Sequence, residues 1–169
     1  MSIHVEYLIS LLIGAGYRYT ESHAEADAII VNSCGFINPA KEESISVTLE
    51  LRAAYPEARV VLAGCLAQRY GSRLELPEVD AVVGNRDLRA VLSALDALQQ
   101  GARPVLVPEE GKTGEVERVR LLSGARSAYV KIAEGCDNRC SFCAIPLIRG
   151  PVVSRSIDAV VGEIERLLA

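Results

Sequence analysis

Ala28-Ile29-Ile30-Val31-Asn32-Ser33-Cys34-Gly35-Phe36-Ile37-Asn38-Pro39 is the stretch that decides the fold. Ala28 to Val31 is a short continuous apolar run. It lacks the alternation of a strand wetted on one side, so it predicts a strand buried on both faces, as in a parallel sheet. A helix follows within a few residues. Asn38 and Pro39 read as its N-cap and first residue, and Glu42 and Glu43 suit the positive end of its dipole. That helix is expected to run to about Ala54. A strand feeding directly into a helix is the building unit of an α/β fold.

The unit recurs in both directions. Arg59-Val60-Val61-Leu62-Ala63 and Asp80-Ala81-Val82-Val83 are the next predicted strands, the latter ended by Gly84. Asn85 is expected to cap a helix with Leu88, Val91, Leu92, Leu95 and Leu98 on one face. Upstream, Val5, Leu8, Ile9 and Leu12 share a helical face that Gly14 and Gly16 close. Residues 1–100 therefore predict a parallel sheet with flanking helices. Chemistry in such sheets gathers at the carboxyl ends of the strands, where Cys34 and Cys65 both fall. Residues 101–126, with Gly101, Pro104, Pro108, Gly111 and Gly114, read as a linker with room for a short hairpin. Ser127 to Ile132 alternates and predicts a further strand. Ser156 is expected to cap a last helix with Ile157, Val160, Val161, Ile164 and Leu167 on one face.

The chain has 169 residues, is half apolar and carries a formal charge of −4. Half apolar content argues against disorder, and the acidic balance argues against broad electrostatic capture of nucleic acid. No apolar run approaches the ~20 residues that span a bilayer, and the first residues lack a secretory pattern. A cytoplasmic location without a membrane partner is expected, where thiols stay reduced. Five cysteines there point to metal or catalysis before disulfides. His4 and His23 read as surface residues. Lys131 and Glu134 read as a surface pair. Arg52, Arg59, Arg69, Arg73, Arg86 and Arg89 read as solvated.

Three of the five cysteines lie in Cys136-Asp137-Asn138-Arg139-Cys140-Ser141-Phe142-Cys143. Three thiolates this close can hold three irons of a cubane and leave the fourth open for a substrate. Phe142 adds a flat apolar surface beside that position. A structural zinc site would want a fourth ligand nearby, and no His or Cys follows Cys143. Three unrelated buried thiols are the remaining alternative. At Cys34 and Cys65 a packing role competes with a ligand role. Gly35 and Gly64 beside them would let backbone approach a bulky cofactor.

The run Ala128-Tyr129-Val130-Lys131-Ile132-Ala133-Glu134-Gly135-Cys136 through Arg149-Gly150 resembles radical S-adenosylmethionine enzymes, and within them the methylthiotransferases. Val31-Asn32-Ser33-Cys34-Gly35-Phe36-Ile37 and Ala63-Gly64-Cys65-Leu66 resemble the N-terminal motifs of the same family. Cys34-Gly35-Phe36-Ile37, Lys131 to Cys136 and Ile148-Arg149-Gly150-Pro151 look like its RimO type rather than its tRNA-modifying MiaB type.

The resemblance implies two [4Fe–4S] clusters and S-adenosylmethionine. Cys136, Cys140 and Cys143 would hold the radical cluster, and Cys34 and Cys65 a sulfur-handling one. The implied reaction adds a methylthio group to the β-carbon of an aspartate in a small-subunit ribosomal protein, with an external electron donor. A tRNA substrate is the alternative. Arg149 would help position cofactor or substrate, or else face solvent.

The family pattern also implies a third ligand for the N-terminal cluster, in an opening Gly-Cys stretch without a counterpart here. Residues 127–169 would be the first βα unit of a partial TIM-type barrel. An inactive cluster-binding fragment is the corresponding alternative for the literal chain. A sheet without its opening strand should expose a neighbour's edge, and residues 127–169 should be weakly anchored.

Overall fold

Val60, Val61 and Leu62 have no exposed surface, and the sheet is built around them. In the computed structural model, which describes residues 3–109, 118, 121–122 and 127–168, they form the middle of β2 (Arg59–Gly64). β2 pairs in parallel with β1 (Ala28–Ser33) on one side and β3 (Ala81–Val83) on the other. β4 (Val105–Leu106) adds to β3, also in parallel, giving the order β1-β2-β3-β4. The unbroken apolar run of β2 is explained by this place. Both its faces are covered by helices, so beyond Arg59 at its exposed start no residue is polar.

The two faces carry separate cores. α1 (Ile3–Gly14) and α4 (Ala90–Gln99) cover one face, where Leu8, Val91, Ala94, Leu95 and Leu98 pack on Val61, Ala63, Ala81 and Val83. α2 (Asn38–Ala54) and α3 (Cys65–Tyr70) cover the other. There Ile45, Leu51 and Leu66 meet Val31, Val60, Leu62 and Val82. The predicted α/β architecture is what folds. β1 is the outer strand beyond β2, as expected for an exposed edge. Among the described residues no helix is long and apolar enough to cross a membrane.

Several local expectations are corrected. Ile37, with extended backbone (φ −118°, ψ 152°), is the N-cap of α2; Asn38 is already helical and makes no side-chain cap bond. Ser44 Oγ, in the second turn of the helix, accepts from the Cys34 N–H at 3.0 Å and so ties the cysteine turn to α2. Asn85 does not cap α4, which starts five residues later behind Arg89. Part of the presumed linker, Val105–Leu106, is an edge strand of the sheet rather than a hairpin. The rest of any hairpin there lies largely outside the described residues.

Among the described residues Ser127 to Ile132 forms no ladder. Pairing begins at β5 (Ala133–Glu134), antiparallel to β6 (Val153–Ser154). Alternation sets which way side chains face, but a strand exists only where a partner accepts its hydrogen bonds. The hairpin encloses α5 (Ile145–Arg149) and leads into α6 (Ile157–Leu168). Ser156 caps α6 as expected, accepting from Ala159 N–H at 3.2 Å. The apolar face of α6 is open, however, with Ile157, Val161, Ile164 and Leu168 exposed, and its buried residue is Glu163.

Candidate functional site

Ser33 and Gly64 are register partners in β1 and β2, so the next residues, Cys34 and Cys65, leave the sheet side by side at its carboxyl edge. Two glycines make this approach. A Cβ on Gly35 would lie 2.6 Å from the Cys65 carbonyl oxygen, and one on Gly64 (φ +108°) would lie 2.6 Å from that of Ser33. Their space is therefore taken by the opposite cysteine-bearing turn. The expected allowance for cofactor is instead an allowance for the two turns to touch.

Cys65 is buried at the start of α3, and two nitrogens far away in sequence reach its sulfur. Asn85 Nδ2 donates to Sγ at 3.1 Å and Arg149 Nη2 at 3.4 Å. Burial pushes the Cys65 thiol up; the Arg149 charge and hydrogen bond and the Asn85 bond work against it, while nearby Cys34 adds to the rise. Asn85 is itself buried, and its Oδ1 has no hydrogen-bond partner among the described residues. An apolar pattern cannot reveal such a residue. Its position just beyond β3, at the same edge as both cysteines, was the available signal.

The Cys136–Cys143 loop is held at its base. Cys136 N–H donates to Gly150 O at 3.1 Å, and Asp137 Oδ1 accepts from Val152 N–H at 2.9 Å. Inside the loop Cys143 N–H donates to Cys140 O at 3.0 Å, and Ile145 N–H points at Cys143 Sγ at 3.5 Å. Cys136 and Cys143 are half-buried, Cys140 is exposed, and Phe142 is 91% exposed. Among the described residues no three His, Cys, Asp or Glu side chains converge closely enough to share a metal ion. The fit to an iron–sulfur cluster is one of donor chemistry: three soft, accessible thiols and a backbone N–H directed at one of them.

α5 joins this loop to the sheet. Its Ile148 is fully buried, and Arg86, beyond β3, donates to the carbonyls of Leu147 at 2.8 Å and Ile148 at 3.2 Å. Arg149, the last residue of α5, then reaches Cys65. It also pairs with Glu134 Oε1 at 2.8 Å and contacts His4. Lys131 bonds the same carboxylate. Burial pushes the Glu134 carboxyl up, but hydrogen bonds from His4 and Lys131 and the charge of Arg149 outweigh it and hold the pKa at about 2. Burial lowers the pKa of both His4 and Lys131.

Several residues read as solvated are thus interior partners. The side chains of His4, Lys131 and Glu134 are only 12%, 10% and 13% exposed. Arg86 holds α5, and Arg52 holds Asp80 together with the carbonyls of Glu78 and Ala58. Arg149 faces Cys65, not solvent. The solvated readings of His4, Lys131, Glu134, Arg86 and Arg52 fail because burial of a charge depends on what packs over it, not on its neighbours in sequence; for Arg149, of its two alternatives, the solvent-facing one is excluded.

Arg149→Met is expected to slow alkylation of Cys65 by iodoacetamide near neutral pH by roughly three- to tenfold, because the thiolate loses its cation. Peptide mass mapping over time would measure this, with exposed Cys140 as the internal standard. Equal Cys65 rates in the two proteins would show that Arg149 does not act on the thiol.

Residues 2–84 match a family described as Uncharacterized protein family UPF0004. Over 175 aligned residues the chain is 44% identical to the ribosomal protein uS12 methylthiotransferase RimO of Treponema denticola, covering 98% of this chain and 38% of that protein. It is 41% identical to the protein of the same name from Pelotomaculum thermopropionicum, over 96% of this chain and 38% of the relative. For Heliobacterium modesticaldum the figures are 43%, 98% and 37%. The chain resembles the RimO-type methylthiotransferases. It spans 38% of the length of the first of these curated relatives. The RimO likeness runs through both cysteine regions, whereas the UPF0004 match ends at Gly84, where β3 has just closed.

Proposed function

We propose that this chain is the cluster-bearing portion of a RimO-type methylthiotransferase. Such an enzyme would add a methylthio group to the β-carbon of an aspartate in a small-subunit ribosomal protein, uS12 in the relatives' names. The observation that carries this reading is 40–44% identity to proteins of that name over nearly the whole chain, both cysteine regions included. Residues 1–100 would be the methylthiotransferase N-terminal domain, 101–126 a linker carrying the sheet's last strand, and 127–169 the start of the radical S-adenosylmethionine domain. The cytoplasm is the proposed location.

Cys136, Cys140 and Cys143 would hold one [4Fe–4S] cluster, S-adenosylmethionine would be a further cofactor, and Phe142 would contribute to its binding. Cys34 and Cys65 would supply two ligands of the second. When bound, these cofactors would supply the hydrogen abstraction that an unactivated carbon requires, and an external donor would supply the electron. The chain's own residues position and shield. Asp137 and Gly150 fix the base of the loop, and Arg86 fixes α5 on the sheet. Arg149 and Asn85 direct N–H groups at Cys65, and such outer hydrogen bonds tune sulfur ligands.

The full-length gene product, reconstituted anaerobically with iron and sulfide, would be assayed by mass spectrometry against small ribosomal subunits and against tRNA. Methylthiolated ribosomal protein is the expected product. Product on tRNA alone would overturn the substrate assignment. Retention of all iron by a Cys136→Ala, Cys140→Ala, Cys143→Ala variant would overturn the ligand assignment.

A further inference from the structure

Lys41, Arg69 and Arg73 converge on one tyrosine. Their charged groups lie 5.5, 5.4 and 5.7 Å from the centre of the Tyr70 ring. Lys41 Nζ also donates to the Tyr70 hydroxyl at 3.1 Å. Two backbone bonds hold the guanidinium groups in place, from Arg69 Nη1 to Gly35 O at 2.7 Å and from Arg73 Nη2 to Arg69 O at 3.0 Å. None of the three cations pairs with a carboxylate among the described residues. Arg52, Arg118, Arg149 and Arg155 differ in this respect, since each has an internal carboxylate partner.

Placement gives the cluster meaning. Gly35 follows Cys34, and Arg69 lies one helical turn after Cys65, so the cations flank the cysteine edge of the sheet. Phe36 and Ile37, partly and largely exposed, lie on the same turn. Lys41 N–H bonds Ile37 O, which ties the cationic turn to that apolar lip. Three fixed, unneutralised cations beside an aromatic ring on a chain of net charge −4 form a local anion-seeking surface, not a general one.

We propose that Lys41, Arg69, Arg73 and Tyr70 form a docking surface for the phosphate backbone of RNA. Under the ribosomal-protein reading above, on which this rests, the RNA is that surrounding the substrate protein in the small subunit. Guanidinium forks match phosphate oxygens in pairs, and an ammonium adds a point charge. Proteins that live on RNA are themselves basic, so the substrate protein would be repelled here while its RNA surroundings would be drawn in. The surface would thus select the assembled particle over the free protein.

The test is fluorescence anisotropy of a labelled single-stranded RNA of mixed sequence, titrated with this chain at several salt concentrations. Each phosphate contact contributes about −0.7 to the log–log salt slope, so three contacts predict a slope near −2. Affinity should then fall roughly fifteenfold for a fourfold rise in salt. Lys41→Glu and Arg73→Glu should each weaken binding several-fold and flatten the slope, while Arg18→Glu, exposed elsewhere, should bind like the parent. Circular dichroism would confirm that each variant folds.

Binding that is the same in Lys41→Glu and Arg73→Glu, absent at low salt, or stronger to polyglutamate than to RNA would overturn the proposal. RNA binding as expected, in a full-length protein that does not modify the ribosomal protein, would overturn the proposed reaction and leave this surface standing.

Discussion

Gly135→Ala is expected to abolish stable iron loading of the Cys136–Cys143 loop. Gly135 has φ +82°, and a Cβ there would lie 1.9 Å from the Pro151 carbonyl oxygen and 2.7 Å from that of Gly150. The left-handed backbone alone costs an alanine about 1–2 kcal/mol. The overlap costs more, because its relief requires the two arms of the hairpin to separate. Separation breaks the Cys136–Gly150 bond and the two-residue ladder of β5 and β6, which hold the loop's ends together.

Iron analysis after anaerobic reconstitution, with the charge-transfer absorbance of the cluster, would measure the loss. Gly162→Ala is the control. Its Cβ would meet only the flexible end of Arg166 at 3.5 Å, so it should load iron normally and gain a few tenths of a kcal/mol or more in helix stability. Normal loading in Gly135→Ala would show that the hairpin base does not organise the thiols.

Glu163→Ala is expected to destabilise the chain by about 3–5 kcal/mol, the cost of breaking a buried ion network from one side. The Glu163 carboxylate accepts from Tyr7 OH at 2.9 Å and meets Arg118 Nε at 2.6 Å and Arg155. Arg118 also pairs with buried Glu6 at 2.8 Å. α6 is thereby tied to α1 through charges, while its apolar face stays exposed. Removing the carboxylate leaves the Arg155 guanidinium, 9% exposed, without its anion and leaves Arg118, 1% exposed, with Glu6 alone. Urea denaturation would give the change in stability, and hydrogen exchange along α6 should show where it opens first.

The pH dependence has a definite sign. Burial alone would raise the Glu163 pKa, but hydrogen bonds from Arg155 and Tyr7 and the charge of Arg118 outweigh it and leave it below 4.5. A depressed carboxylate stabilises fully above its unfolded pKa, and that stability is lost as pH falls through the folded value. Stability should therefore fall below about pH 4.5, and Glu163→Gln should flatten part of that fall. A further part is expected from Glu134, held at about 2 by the same logic. An unchanged acid limb in Glu163→Gln would remove Glu163 from this role. Tyr7, pushed up to about 12 mainly by burial and then by Glu163, keeps its proton throughout.

Much of the fold was legible because it depends on local pattern. Ala28–Val31, Val60–Leu62 and Ala81–Val83 are strands because apolar runs of that length bury best between helices, and the helices between them follow from their periodicity. Short strands were harder. Val105–Leu106 is a strand of two residues flanked by Pro104 and Pro108, and its strand character comes from β3, whose Val82 and following Gly84 N–H groups donate to Pro104 O and Leu106 O. Residues 127–132 show the converse: they alternate, but among the described residues only Ile132 gains a backbone bond to the facing arm, from Arg155 N–H at 2.9 Å. The caps at Asn38 and Asn85 failed for a related reason: Ile37 already supplies the extended cap geometry, and Asn85 is engaged by a sulfur.

The sequence by itself determined the parallel α/β frame, the placement of Cys34 and Cys65 at its carboxyl edge, and the three-thiol spacing of Cys136, Cys140 and Cys143. These are properties of single elements and of short loops. Only the tertiary structure decided that Arg149 crosses 84 positions to reach Cys65, and that His4, Lys131 and Glu134 are buried around it. It also decided that Glu163, not an apolar residue, faces inward on α6. The physical reason is the same in each case. Whether a charge is buried and paired is set by the element that packs over it, and in this chain those elements come from distant parts of the sequence.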